Sequence, residues 1–148
     1  MPVFWVGFGV AMMPGGALCN RYGTLTVMAV SAALGAIAAY VAGNAGSLEV
    51  LIAAQLVVGG AWGNMLMGGF TAAVAAGRSG REGLALGLLF AMLALATLSR
   101  IGAVVAGLPK QPSWAALFAY APAVLWVAGA VVVAALAARG RAADASKA

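Results

Sequence analysis

Apolar residues fill long stretches of this chain, and polar residues gather in short breaks between them. Four stretches offer the roughly 20 residues that a helix needs to cross hydrocarbon: 24–43, 48–69, 83–108 and 114–138. The breaks carry turn chemistry, as Gly43-Asn44-Ala45-Gly46-Ser47, Gly77-Arg78-Ser79-Gly80-Arg81 and Leu108-Pro109-Lys110-Gln111-Pro112. Ala and Leu dominate the stretches and no two-residue alternation runs through them, so the pattern predicts helices rather than a β-barrel. A further stretch, 3–18, is shorter and ends in Met13-Pro14-Gly15-Gly16. No Lys or Arg precedes it and no small-x-small cleavage site follows, so it reads as a short or truncated membrane helix, not a signal peptide. The expected fold is an all-α integral membrane protein of about five transmembrane helices. A helical bundle over 1–138 is followed by a basic, disordered tail over 139–148.

Composition agrees with a lipid solvent. Only 7% of the 148 residues are charged and 65% are hydrophobic, against about 25% charged in an ordinary soluble domain. So few charges cannot solvate a surface of this size. The 21 glycines lie inside apolar runs, where small residues let helix backbones approach. The net charge of +5 does not point to nucleic acid, because the eight basic residues are spread singly or in pairs, all but Arg100 at the edges of apolar runs, with no patch and no aromatic platform. A single cysteine, Cys19, excludes an internal disulfide. With no histidine and three acids (Glu49, Glu82, Asp144), no metal site or other cofactor is expected, and acid–base catalysis has little material.

The basic residues also set an orientation. Arg21, Arg78, Arg81, Arg139, Arg141 and Lys147 fall on one side of the predicted spans, against Lys110 on the other. That bias places the C-terminus in the cytoplasm, and five spans then leave the N-terminus outside. Such a start is unusual, and the expectation is that further helices precede this chain. The Ala/Gly-rich composition points to a bacterial cytoplasmic (inner) membrane.

Between the first two predicted helices the chain reads Gly16-Ala17-Leu18-Cys19-Asn20-Arg21-Tyr22-Gly23. This resembles the cytoplasmic loop motif of the major facilitator superfamily, G-x-L-x-D-R-x-G followed by basic residues. Gly16, Leu18, Arg21 and Gly23 match; Asn20 stands in place of the acid, and Thr24 and Leu25 in place of basic residues. Such degeneracy is typical of the second copy of the motif, so the layout looks like helices eight to twelve, part of the C-terminal six-helix bundle of that fold. The resemblance implies a missing N-terminal half and a cavity lined partly by the helix over 48–69. Apart from the family, Gly16 and Gly23 suit a tight, close-packed turn. Arg21 sits at headgroup level, where it is either a topology determinant or part of a gate.

Polar groups inside spans are the candidate pathway residues. Gln55 and Asn64 lie on opposite faces of the helix over 48–69, at about 100° per residue. Gln55 shares its face with Gly59 and Trp62, the preferred cavity side, where an indole beside an amide suits a partly apolar solute. Asn64 shares the other face with Gly60, Gly68 and Thr71. The plainer alternative makes both amides interhelical hydrogen-bonding groups with no substrate role. Arg100 is the only charge inside a span, about seven residues from its predicted end, or roughly 11 Å at the helical rise. It either snorkels to the headgroups or meets an anion or a carboxylate elsewhere. Gly59/Gly63 and Gly83/Gly87 carry GxxxG spacing, whose default reading is close helix packing.

Two functions follow. The first is a portion of a secondary transporter that moves a small solute of unknown identity by alternating access, with the bilayer and a missing half as partners. The second is a small membrane scaffold or subunit that assembles through Gly/Ala-rich faces. An intramembrane enzyme finds no support, since HExxH, GxSxG, paired acids and haem-ligating histidines are all lacking.

Overall fold

A computed structural model describes residues 2–77 and 80–145, with side chains as far as residue 140. Arg78 and Lys147 of the orientation argument lie outside the described residues, as does the side chain of Arg141. Five α-helices account for nearly all of it: α1 (Pro2–Tyr22), α2 (Thr24–Gly43), α3 (Leu48–Ala76), α4 (Glu82–Val105) and α5 (Pro112–Ala145). A 3₁₀ turn, Leu108–Lys110, precedes α5. All five helices are long and apolar enough to cross a membrane. Ala and Leu favour helix intrinsically, and in hydrocarbon a helix satisfies every backbone group within its own segment.

Three boundaries differ from the sequence reading. The first helix is not short: α1 continues through Pro14 for 21 residues. Proline there leaves the Val10 carbonyl without its i+4 donor, a loss that packed membrane helices tolerate. α3 runs past Gly69 to Ala76. α5 continues to Ala145, so the segment expected to be a disordered tail is helical as far as it is described.

The ends of the helices follow local chemistry. Gly23 alone separates α1 from α2, with φ 85 and ψ 136, a conformation that a side chain would strain. Asn44 closes α2, its side-chain amide donating to the Tyr40 carbonyl at 2.9 Å. Ser47 caps α3 by accepting from the Val50 amide at 3.3 Å. Gly107, left-handed at φ 70, ends α4, and Pro112 occupies the first turn of α5, where its missing N–H costs nothing.

The chain divides into two compact units. The first holds residues up to Gly68 and from Pro122 on; the second is Gly69–Ala121. α3 and α5 each contribute residues to both units.

The first unit is organised around α3. The backbone of α1 lies against it with glycines on both sides of the contact. A Cβ at Gly7 would strike the Leu56 carbonyl oxygen, one at Gly59 the Phe4 carbonyl, and one at Gly63 would stand 2.7 Å from the Phe8 carbonyl. In each case a glycine hydrogen points toward a carbonyl on the facing helix, the arrangement of a Cα–H···O contact. The pairs Phe4/Gly59, Phe8/Gly63 and Gly15/Asn64 advance together, so α1 and α3 run parallel. Elsewhere on α3, Gly68 receives Met28 of α2, and Trp62 meets Trp126 of α5 edge to face, with centroids 6.1 Å apart. Trp126 also covers Gly35 of α2, where a Cβ would stand 2.6 Å from the indole. Proceeding along α2 from Met28 to Gly35 moves back along α3 from Gly68 towards the level of Trp62, so these two helices run antiparallel.

The second unit is an antiparallel hairpin between the end of α3 and α4. Gly77 admits the Glu82 backbone where a Cβ would stand, Phe70 meets Phe90 with centroids 5.5 Å apart, and Gly69 touches Leu89. Residues 94–102 are all exposed, and α4 buries no residue.

Candidate functional site

The resemblance motif occupies the last turns of α1 and the junction with α2. Gly23 supplies the turn, its amide donating to the Cys19 carbonyl at 3.0 Å and its carbonyl accepting from Val27 at 3.1 Å. Gly16 is not part of that turn. It lies within α1, where a Cβ would come 3.3 Å from the Met67 methyl, so its small size serves packing against α3. Leu18 is half-buried, while Asn20 and Arg21 are exposed. The Arg21 guanidinium lies 5.4 Å from the Tyr22 ring centroid, in cation–π range.

Within the first unit, the polar atom that stands out is the Asn64 carbonyl oxygen, which is buried and has no hydrogen-bond partner. It faces Gly15 of α1, 2.8 Å from where a Cβ would stand, beside Met67. A larger residue at position 15 would close this spot, and the Pro14-Gly15-Gly16 run therefore shapes it. A buried acceptor without a donor costs about 1–3 kcal/mol, so Asn64 is held there against its own desolvation. Chemically it can accept from a hydroxyl, an ammonium or an amide, but it cannot exchange a proton.

The face carrying Gln55, Gly59 and Trp62 is shared between two neighbours. Gly59 turns to α1, while Trp62 turns to Trp126, so the indole preferred as a cavity wall has an aromatic partner of its own chain. Gln55 is half-buried on the same helix. Arg100 belongs to the second unit and is exposed, in a shallow concavity lined also by Thr97, Ile101, Val104 and Val105. Thr97 and Ser99 return their hydroxyls to the Leu93 and Leu95 carbonyls, each at 2.8 Å, a local bond available to such residues in a helix.

The contact of Gly7 with α3 and the seat that Gly35 gives Trp126 are not evident in the sequence. The signal was the spacing of glycines on α1 and α2 opposite large or backbone-exposing positions, which only the register between helices reveals. No group of three or more metal-ligating side chains occurs among the described residues. Compared with protein-family models, curated proteins and solved structures, the chain matches none of them.

Proposed function

We propose that this chain is a portion of a secondary transporter of the major facilitator type, carrying a small solute across a membrane by alternating access. The observation that carries this reading is the α1–α2 junction. The residues resembling the family's loop motif lie at a single-glycine turn between two apolar helices, with Arg21 exposed in the last turn of α1. Parallel α1 and α3 support it, because helices that cross a membrane in alternation bring every second one into the same direction. In this reading Asn64, rather than Gln55 on the opposite face of α3, meets the solute, which presents a hydrogen-bond donor to the Asn64 oxygen. In this reading Arg21 and the C-terminus face the cytoplasm, as the positive-inside bias suggests, and the membrane is a bacterial inner membrane, as the Ala/Gly-rich composition suggests.

A second reading, a membrane scaffold or subunit with no transport of its own, is favoured by one observation. Gly83 and Gly87 keep GxxxG spacing on α4 with nothing in front of either.

The mass of the native product separates the two. An antibody raised against the sequence 139–148 is used to probe membranes of the source cells. Transport by a joined chain predicts a band several times heavier than 14.5 kDa. A band at 14.5 kDa with no co-purifying helical partner would overturn the transporter reading and leave the scaffold.

A further inference from the structure

We propose that the C-terminal half of α4 and the turn after it hold the headgroup of an anionic phospholipid. The inference requires that α4 cross a bilayer and is independent of transport.

Charge and depth carry it together. A guanidinium inside hydrocarbon is costly unless it meets an anion or reaches the interface. Arg100 stands five residues before the last residue of α4, Val105, so its Cα lies about 7.5 Å below the helix end. That depth is within reach of an extended arginine side chain. Residues 94–102 are exposed all round the helix, so no packed neighbour shields the charge. The one acid of this unit, Glu82, begins the helix, about 27 Å away at the helical rise. A second cation lies at the same end. Lys110 is exposed in the 3₁₀ turn that packs against α4, and the link from Gly107 to Gln111 contains no acid. Two cations at interfacial depth, with no acid of their own unit at that end of α4, fit a phosphodiester, which a guanidinium binds with paired N–H donors.

The surface beside Arg100 suits the rest of a lipid. Ile101, Val104 and Val105 line the concavity with branched apolar side chains, and the Thr97 hydroxyl is already bonded to Leu93. An acyl chain can lie along this surface while the phosphate meets the two cations. A free anion would use the charges and leave the apolar surface unused.

The test compares lipid retention by the purified chain in detergent, read by native mass spectrometry. The probes are phosphatidylglycerol, phosphatidylcholine and inorganic phosphate. The chain is expected to retain phosphatidylglycerol over phosphatidylcholine. Arg100→Gln should lower that retention about fivefold, and the Arg100→Gln/Lys110→Gln pair about 25-fold, at about one charge's interfacial attraction each. Should Arg100→Gln fail to fold, Lys110→Gln in its exposed turn carries the test, with a fivefold loss expected. Equal retention of the two lipids, or unchanged retention in both single variants, would overturn the proposal. Displacement of phosphatidylglycerol by millimolar inorganic phosphate would also overturn it, in favour of a free-anion site.

Discussion

Two GxxxG pairs occur in this chain, and the structure treats them in opposite ways. Gly59 and Gly63 on α3 are closed by carbonyls of α1, whereas Gly83 and Gly87 on α4 face nothing within 4 Å. The spacing is the same and so is the intrinsic propensity. What differs is the facing helix. α1 brings its own glycine, Gly7, and presents carbonyl oxygens at matching intervals, so both backbones can approach. In lipid, association gains little from moving apolar surface out of hydrocarbon, and close packing has to supply the energy. A glycine pair is therefore a site only when its partner is equally slim.

The largest effect is expected where this closure is most complete. Gly59→Leu places a side chain against the Phe4 backbone, and should cost at least the upper end of the ~1–3 kcal/mol typical of overpacking. SDS-induced unfolding in mixed micelles reads this loss. A change below about 0.5 kcal/mol would mean that α1 does not lie on α3 as described.

Gly23→Ala comes next. The backbone there has φ 85 and ψ 136, a region that alanine enters only under strain of about 1–3 kcal/mol. The same unfolding experiment should show a loss in that range, while Gly46→Ala, with open space and no positive φ, should change little.

Asn64 provides a sharper test with the opposite sign. Asn64→Leu removes a buried acceptor that has no partner and keeps a similar shape, so stability should hold or rise by up to about 1 kcal/mol. A loss of more than 1 kcal/mol would show that the amide is a structural bond, contrary to the pathway role proposed for it.

Gly87→Ala should have the smallest effect, within about 0.5 kcal/mol, because no atom of the chain stands in the way. If the substitution is costly in the native membrane but neutral in the isolated chain, α4 has found its slim partner in another polypeptide.

The spans were legible because hydrophobic length and turn residues are local properties. α2 matches its expected range of 24–43, and the breaks at Asn44, Gly77 and Pro109 all fall between helices. α1 is longer than its apolar stretch suggests because it continues past residue 18 through Asn20 and Arg21 to Tyr22, polar positions that hydropathy leaves out. The roles within the site were less legible. Helical spacing groups Gln55 with Trp62, but that Trp62 meets Trp126 depends on which residue of α5 arrives there. Gly16 was read as part of a turn because it stands in a loop motif. Its actual partner, Met67, lies 51 residues further along the chain and is invisible to any local pattern.

A packed α3 and a bare α4 differ most in what reaches their side chains in a bilayer, and the accessibility of spin labels measures that difference directly. Labels at Ala54 and Ala61 on α3, both 5% exposed, are compared with labels at Leu88, Met92, Leu95 and Leu98 on α4, all at least 59% exposed, after reconstitution of the chain in lipid. The predicted result is high oxygen collision rates and low nickel-complex collision rates along α4, with both low at the two alanines. High nickel-complex access along α4 would contradict a lipid-facing helix. Oxygen access at Ala54 and Ala61 as high as on α4 would contradict a packed α3, since both stand in line with Gly68, where α2 arrives.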